Sequence, residues 1–256
     1  MPLMPGAEPM RHEGSDIGVL LCHGFTGSPQ SLRPWARYLA DQGLTVSLPL
    51  LPGHGSRWED LQVTGWQDWY ATVDRELRLL SESCARVFVC GLSMGGALAL
   101  RLAARHGAAV SGIVVVNPAS TFPRAAGYAL PVLRHLVPTS SGLTDDIAKE
   151  GSHELGYDRV PLHAAHSLRS FFRVVRGELP QVTQPLMVLR SRSDHVVPAT
   201  DSALILSRVS STEVTETVLE RSYHVATLDF DAERIFEDSH MFISRIAARE
   251  TARDRA

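Results

Sequence analysis

Lysine, cysteine and long hydrophobic runs are all scarce in this sequence. Lys149 is its only lysine, and the 25 basic residues against 28 acidic ones leave a net charge of -3. With so small a charge and no stripe of basic residues, nucleic acid is not expected as a partner. No apolar run in the sequence approaches the roughly 20 residues that a membrane-spanning helix needs, so no membrane span is predicted.

The three cysteines are too few and too irregularly spaced for a disulfide framework or a metal site. Cys22 and Cys90 each end an apolar run, which is typical of small buried hydrophobic residues rather than reactive thiols. Residues 1–15 contain no long apolar core after a basic start, so we expect no secretory signal. A soluble protein with a cytoplasmic location is the expectation that follows.

Short apolar segments alternate with longer helical patterns along most of the chain. The segments are rich in Val, Ile and Leu on both faces, as parallel strands covered by helices are. They are Ile17–Cys22, Leu44–Leu48, Arg86–Cys90, Gly112–Asn117, Pro185–Arg190 and Glu213–Leu219. Helices are predicted at Ser31–Gln42, Asp68–Glu82, Met94–His106 and Asp231–Arg249. This alternation predicts right-handed βαβ units in a doubly wound, mostly parallel sheet.

Residues 119–180 interrupt the alternation. They contain no convincing strand, only short helical pieces punctuated by proline and glycine. A compact domain does not hold a bare loop of about sixty residues, so we predict a helical insertion over the carboxyl edge of the sheet, where ligands bind in such folds. A separate domain is the alternative, but too few apolar residues occur there for a core. The predicted organisation is a core of residues 1–118 and 181–256 with a cap at 119–180.

The strongest chemical signal is Gly91-Leu92-Ser93-Met94-Gly95-Gly96, which follows a predicted strand and begins a predicted helix. In that context Gly-x-Ser-x-Gly is typical of a serine nucleophile on a tight turn. We expect a strained backbone at Ser93, with glycine required at 91 and 95 because side chains there would collide. The amino end of the helix would stabilise developing negative charge. An ordinary glycine-rich turn is the alternative, and the flanking strand and helix argue against it.

Ser93 needs a base, because a neutral hydroxyl is a poor nucleophile. Of eleven histidines, His224 lies on a loop between the last predicted strand and the final helix. Asp194 follows the strand before that and lies between the serine and the histidine in chain order, so it is the candidate that orients His224. His195 is assigned no role. The other histidines weighed are expected in helices or in the insertion: His106, His153, His163, His166 and His240. Asp201, Asp229 and Asp231 are rivals for the acid; the alternative for each is a solvated charge or a helix cap, and for Asp201 that alternative is favoured.

The oxyanion formed on attack needs two backbone N–H donors. One is expected from Met94, the residue after the nucleophile. The other is expected from Phe25, in the loop His23-Gly24-Phe25-Thr26-Gly27 after the first strong strand. The Phe25 ring is expected to line the acyl pocket, and His23 is expected to be structural.

Together these motifs resemble the bacterial monoacylglycerol lipases and small thermostable carboxylesterases of the α/β-hydrolase superfamily, from about Gly6 to the final helix. The resemblance implies a sheet core with a small helical cap, and hydrolysis of monoglycerides or short- to medium-chain carboxyl esters through an acyl-enzyme, with neither a cofactor nor a metal. Glu154, in Glu154-Leu155-Gly156-Tyr157, matches a glutamate that contacts glycerol; a solvated surface charge is the alternative. The motifs are His23–Pro29, Pro52–Gly55, Gly91–Gly96, Ser193–Pro198 and Ser222–Asp229.

Other activities stay open. An amidase, a thioesterase or a carbon–carbon hydrolase could use the same triad, since the fold does not select among them, and a non-catalytic receptor is a further alternative. A serine nucleophile argues against dehalogenases and epoxide hydrolases, which use aspartate. The sequence does not indicate which oligomeric state the protein adopts. Apolar residues of the cap fit contact with an acyl chain or a lipid surface, with burial against the core as the alternative: Tyr128, Leu130, Val132, Leu133, Leu136 and Val137.

Overall fold

A seven-stranded sheet runs through the protein in a computed structural model, which describes residues 2–122, 124–142 and 145–254. Its strands follow the order β1-β3-β2-β4-β5-β8-β9, and of these only β1 is antiparallel to its neighbour. The described strands are β1 (Met10–His12), β2 (Ile17–Cys22), β3 (Thr45–Leu48), β4 (Arg86–Leu92), β5 (Gly112–Val116), β6 (Thr139–Ser141), β7 (Arg159–Pro161), β8 (Leu186–Ser191) and β9 (Val214–Leu219).

Helices cover both faces of the sheet. The described α-helices are α1 (Arg33–Asp41), α2 (Trp58–Gln62), α3 (Trp66–Ser83), α4 (Met94–His106), α5 (Arg124–Leu133), α6 (Leu162–Glu178), α7 (Ala199–Leu206) and α8 (Ala232–Asp254). Along β4, Val89 packs with α3, α4 and α6, whereas Phe88 and Cys90 pack with α1 and α8. Successive side chains of a strand point to opposite faces, so β4 is buried on both sides. The predicted doubly wound α/β architecture is confirmed.

All six predicted strands are present, with ends that differ from the prediction by at most two residues. Cys22 and Cys90 are both fully buried, and burial raises the pKa of each thiol. Both cysteines therefore act as small core residues, as predicted. No helix among the described residues is both long and apolar enough to cross a membrane.

The stretch 119–180 holds α5, α6 and a two-stranded antiparallel sheet of β6 with β7. The expectation of no strand there was wrong, because three-residue strands are too short to show a period-two pattern. Helix α6 buries Leu168, Phe171 and Phe172 in the same cluster as α3 and α4. This helix therefore packs on the core layer, while the boundary of the cap remains a prediction.

Candidate active site

Ser93 lies on the turn between β4 and α4 with φ 57° and ψ −118°, a strained conformation for a residue other than glycine. A Cβ atom on Gly91 would lie 2.2 Å from the carbonyl oxygen of Gly95, and one on Gly95 would lie 1.8 Å from the carbonyl oxygen of Cys22. Neither distance is compatible with van der Waals contact, so both positions require glycine. The obstacle is backbone at each position, and the expected requirement for glycine at 91 and 95 is confirmed.

Asp194 and His224 form a hydrogen-bonded pair. His224 Nδ1 donates to Asp194 Oδ2 at 2.8 Å, and the side chains of both residues are buried. Asp194 Oδ1 accepts the backbone N–H groups of Val196 and Val197, each at 2.8 Å. A carboxylate held in this way fixes the ring of its histidine partner with Nε2 free to act as a base.

The three predicted catalytic residues lie at one edge of the sheet. Ser93 follows β4, Asp194 follows β8 and His224 follows β9, and these parallel strands lie within four adjacent positions of the sheet. Among the described residues, no hydrogen bond joins the Ser93 hydroxyl to the His224 ring. Such bonds are often long in ligand-free enzymes and tighten when substrate binds.

The backbone of the His224 loop is held by groups from other elements. Asn117, at the end of β5, donates from Nδ2 to the carbonyl oxygen of His224 at 2.7 Å. Its own backbone has φ 44°, which asparagine tolerates better than most residues. Sequence reasoning missed Asn117; its place directly after a buried strand was the available signal.

Asp229, a rival for the role of triad acid, also holds this loop. Its carboxylate accepts the backbone N–H groups of Tyr223 at 2.8 Å, Ala148 at 2.7 Å and Lys149 at 3.0 Å. Asp231 likewise accepts the N–H of Arg221 at 2.9 Å. Both carboxylates are buried and occupied by hydrogen bonds to backbone N–H groups, so neither is the solvated charge that was weighed as the alternative.

The loop after β2 lies beside the nucleophile. A Cβ built on Gly24 would lie 3.7 Å from Ser93 Cβ, and Phe25 follows directly. His23 is fully buried, with Nδ1 donating to the carbonyl oxygen of Gly24 at 2.9 Å and Nε2 accepting the N–H of Leu51 at 3.1 Å. Burial lowers the pKa of His23 to about 4, so its ring is neutral and structural.

The Phe25 ring packs against Trp69 and His54, with centroids 5.5 Å and 6.2 Å away. These contacts fix the start of the loop that carries the candidate N–H donor. Met94, whose N–H is the other candidate, begins α4 and is buried. The roles of both N–H groups remain predictions.

Glu154 is partly buried and lies against the same loop, with Oε1 2.7 Å from the position that a Cβ on Gly27 would take. Burial raises its pKa to about 7, although the nearby His224 ring acts in the opposite direction. The role of Glu154 remains a prediction. Among the described residues, no group of three or more His, Cys, Asp or Glu side chains is arranged to hold a metal ion.

Comparison with known proteins identifies the family of this chain. Residues 15–231 match the family Hydrolase_4, described as serine aminopeptidase, S33. The thermostable monoacylglycerol lipase of Bacillus sp. (strain H-257) is 40% identical over 251 residues, which cover 96% of this chain and 98% of that protein. The chain belongs to this family of serine hydrolases.

Two further relatives of the hydrolase were found. The carboxylesterase of Bacillus subtilis (strain 168) is 28% identical over 243 residues, covering 93% of this chain and 97% of that protein. A solved structure of the metagenome-derived lipolytic enzymes LipS and LipT matches with a TM-score of 0.93 and 40% identity, covering 95% of this chain and all of that one. The resemblance and the α/β-hydrolase fold predicted from the motifs are therefore confirmed.

Proposed function

We propose that this hydrolase cleaves carboxyl esters, in particular monoacylglycerols and short- to medium-chain esters, through an acyl-enzyme on Ser93. The observation that carries the proposal is the bond from His224 Nδ1 to Asp194 Oδ2, 2.8 Å long, at the sheet edge where Ser93 follows β4. His224 takes the hydroxyl proton as Ser93 attacks the ester carbonyl, and Asp194 stabilises the imidazolium. The same proton then passes to the leaving alcohol, and water hydrolyses the acyl-enzyme.

The backbone N–H groups of Phe25 and Met94 form the oxyanion hole in this mechanism. Two features support the assignment: the Phe25 loop approaches Ser93 at Gly24, and Met94 begins α4, whose amino end attracts negative charge. One such donor is typically worth about 100–1000-fold in rate. The ring of Phe25 lines the acyl pocket. Serine, histidine and aspartate supply the nucleophile, the base and the orienting acid, so the reaction needs no cofactor.

Glu154 is the residue that we assign to the alcohol part of the substrate. Its carboxyl group lies close to the loop of Phe25 and interacts electrostatically with His224, and with a pKa of about 7 it can accept or donate a hydrogen bond near neutral pH. A glycerol moiety presents hydroxyl groups that make both kinds of bond. The relatives named as a monoacylglycerol lipase and a carboxylesterase support this substrate class.

Residues 119–180 act as the cap in this proposal, and its outer side makes transient contact with lipid. Val132 and Leu136 are 65% and 73% exposed, and Leu133 and Val137 are exposed as well. Leu130 is buried against α6 instead. The side chain of Tyr128, predicted for the same face, lies outside the described residues. The cytoplasm is the proposed location.

Ser93→Ala tests the function directly. The variant is expected to lose p-nitrophenyl ester hydrolysis by about 10,000-fold or more while it keeps its melting temperature. Ser81→Ala, on the outside of α3, is the matched control and is expected to keep full activity. Activity of Ser93→Ala near the wild-type rate would refute the proposal.

A fluorophosphonate probe is expected to label Ser93 alone, as peptide mapping would show. A substrate panel of monoacylglycerols, diacylglycerols, triacylglycerols, amides and acyl thioesters then identifies the bond cleaved. Faster turnover of an amide or a thioester than of any ester would contradict the assigned substrate class.

A further inference from the structure

Asp146, in the segment between the β6 strand and Glu154, contacts both loops that carry the proposed acid and base. Its Oδ2 accepts the backbone N–H of His224 at 3.0 Å and that of His195 at 3.2 Å. Its Oδ1 accepts a hydrogen bond from His195 Nδ1 at 2.7 Å. The mostly buried carboxylate of Asp146 therefore joins His195, the residue after Asp194, to His224.

The backbone carbonyl of Asp146 makes a fourth hydrogen bond, also to the His224 loop. Its carbonyl oxygen accepts the N–H of Val225 at 3.1 Å, so Asp146 holds the main chain on both sides of the His224 side chain. The two loops follow β8 and β9, and beyond those strands their separation is set by such contacts rather than by the sheet ladder. The length of the bond from His224 to Asp194 depends on that separation.

We propose that Asp146 is a positioning residue of this hydrolase: from the insertion, its carboxylate fixes the loop of Asp194 relative to the loop of His224. The inference depends on the proposed triad. Misplacement of a catalytic group by about 1 Å can cost about 100-fold in rate. Asp146 acts through His224 and Asp194 and does not touch the reacting atoms.

Three substitutions separate positioning from simple stabilisation. Asp146→Ala removes the bridge, and kcat is expected to fall about 10- to 100-fold with KM within about twofold of wild type. Asp146→Asn keeps an oxygen that can accept both backbone N–H groups, so kcat is expected to stay within about fivefold. Asp146→Glu keeps the charge but is one methylene longer, and about a tenfold loss of kcat is expected because the loops are displaced.

The readouts are kcat and KM for a soluble ester, the rate of fluorophosphonate labelling of Ser93, and the melting temperature. Labelling is expected to slow in proportion to kcat. The control is Asp74→Ala, which breaks another aspartate–histidine contact, the 2.5 Å pair of Asp74 Oδ1 with His106 Nε2, far from the site. This control is expected to lower the melting temperature while kcat stays at the wild-type value.

Two results would overturn the inference. One is a full kcat in Asp146→Ala well below its melting temperature; the other is a loss in Asp146→Asn as large as in Asp146→Glu. If Asp146→Ala does not fold, the comparison of the Asn and Glu variants decides alone. Failure of the proposed function shows differently, as wild-type hydrolysis that persists in Ser93→Ala.

Discussion

Two titratable side chains of the site region, one fully and one partly buried, have pKa values displaced in opposite directions. Burial raises the pKa of Glu154 from 4.5 to about 7 and lowers that of His23 from 6.5 to about 4. Folded Glu154 keeps its proton where the unfolded chain has lost it, so its contribution to stability falls as pH rises from about 4.5 to 7. The contribution of His23 falls as pH decreases from about 6.5 to 4, because the unfolded chain then binds a proton that the folded one does not. The two effects oppose each other in mildly acidic solution.

Glu154→Gln isolates the first of these effects. Glutamine cannot ionise, so the variant is expected to match wild-type stability near pH 5 and to exceed it by about 1–3 kcal/mol near pH 8. At about 2–4 °C per kcal/mol for a chain of this size, the difference is visible in thermal melts at pH 5, 6, 7 and 8. Glu237→Gln, at an exposed position of α8, is the control. A difference that does not change with pH would contradict the raised pKa of Glu154.

At the scale of elements, α7 holds the start of the insertion. Asp201 on α7 is 1% exposed, and its carboxylate accepts the backbone N–H groups of Ser120 and Thr121 at 2.6 Å and 2.7 Å. The expectation of a solvated charge or a helix cap at Asp201 was wrong, because contacts with a distant segment bury this carboxylate. The Thr121 hydroxyl donates to the other oxygen at 2.6 Å. Arg176 of α6 donates to the carbonyl oxygen of Ser120 at 2.6 Å. These bonds join α6 and α7 at the point where the chain leaves the core after β5.

Asp201→Ala is therefore expected to affect stability rather than chemistry. Loss of a buried acceptor of three hydrogen bonds should lower the free energy of unfolding by about 2–4 kcal/mol, with kcat within about threefold of wild type. Asp194→Ala should show the reverse pattern, with about a 10,000-fold loss of kcat. Melting temperature and ester hydrolysis distinguish the two. An Asp201→Ala variant that melts normally but has no activity would make Asp201 the triad acid.

The elements that the sequence predicted best are those buried on both sides. Strands β2, β4, β5 and β8 are nearly continuous apolar runs, and α4 spans Met94–His106, as its sequence indicated. The missed elements carry weaker signals: β1 is a three-residue, largely exposed edge strand, and α2 has only five residues. Helix α7 follows Pro198 and contains Thr200, Asp201 and Ser202, which have low helix propensity.

The residues of the site also divide into those that the sequence could predict and those that it could not. Ser93, Asp194 and His224 could be predicted because each follows a strand and their chain order matches a known pattern. Asp146 could not, because its partner His224 is 78 residues away and no local motif marks the contact. Interactions between loops that are distant in the sequence leave no periodicity for sequence reasoning to detect.

At the scale of the whole molecule, the insertion presents apolar side chains on its outer side, while α6 packs on the core. Val132→Ser with Leu136→Ser is expected to slow hydrolysis of monoacylglycerol in vesicles about tenfold, because less apolar area enters the lipid. Hydrolysis of a soluble short-chain ester should stay unchanged. The control is Met241→Ser, another exposed apolar residue on α8. Equal losses on both substrates would contradict a role at the lipid surface.

The only side-chain amine of the chain belongs to Lys149, which is exposed, while its backbone N–H is bound by Asp229. Reagents that couple to lysine side chains thus have a single side-chain target, on the segment between Asp146 and Glu154. A fluorophore placed there would sit on a segment that is hydrogen-bonded to the His224 loop and would report on changes in that loop when an ester binds. Resins that couple through this side chain would instead hold the protein by the same segment. Thiol reagents offer no easy substitute, because all three cysteines are buried.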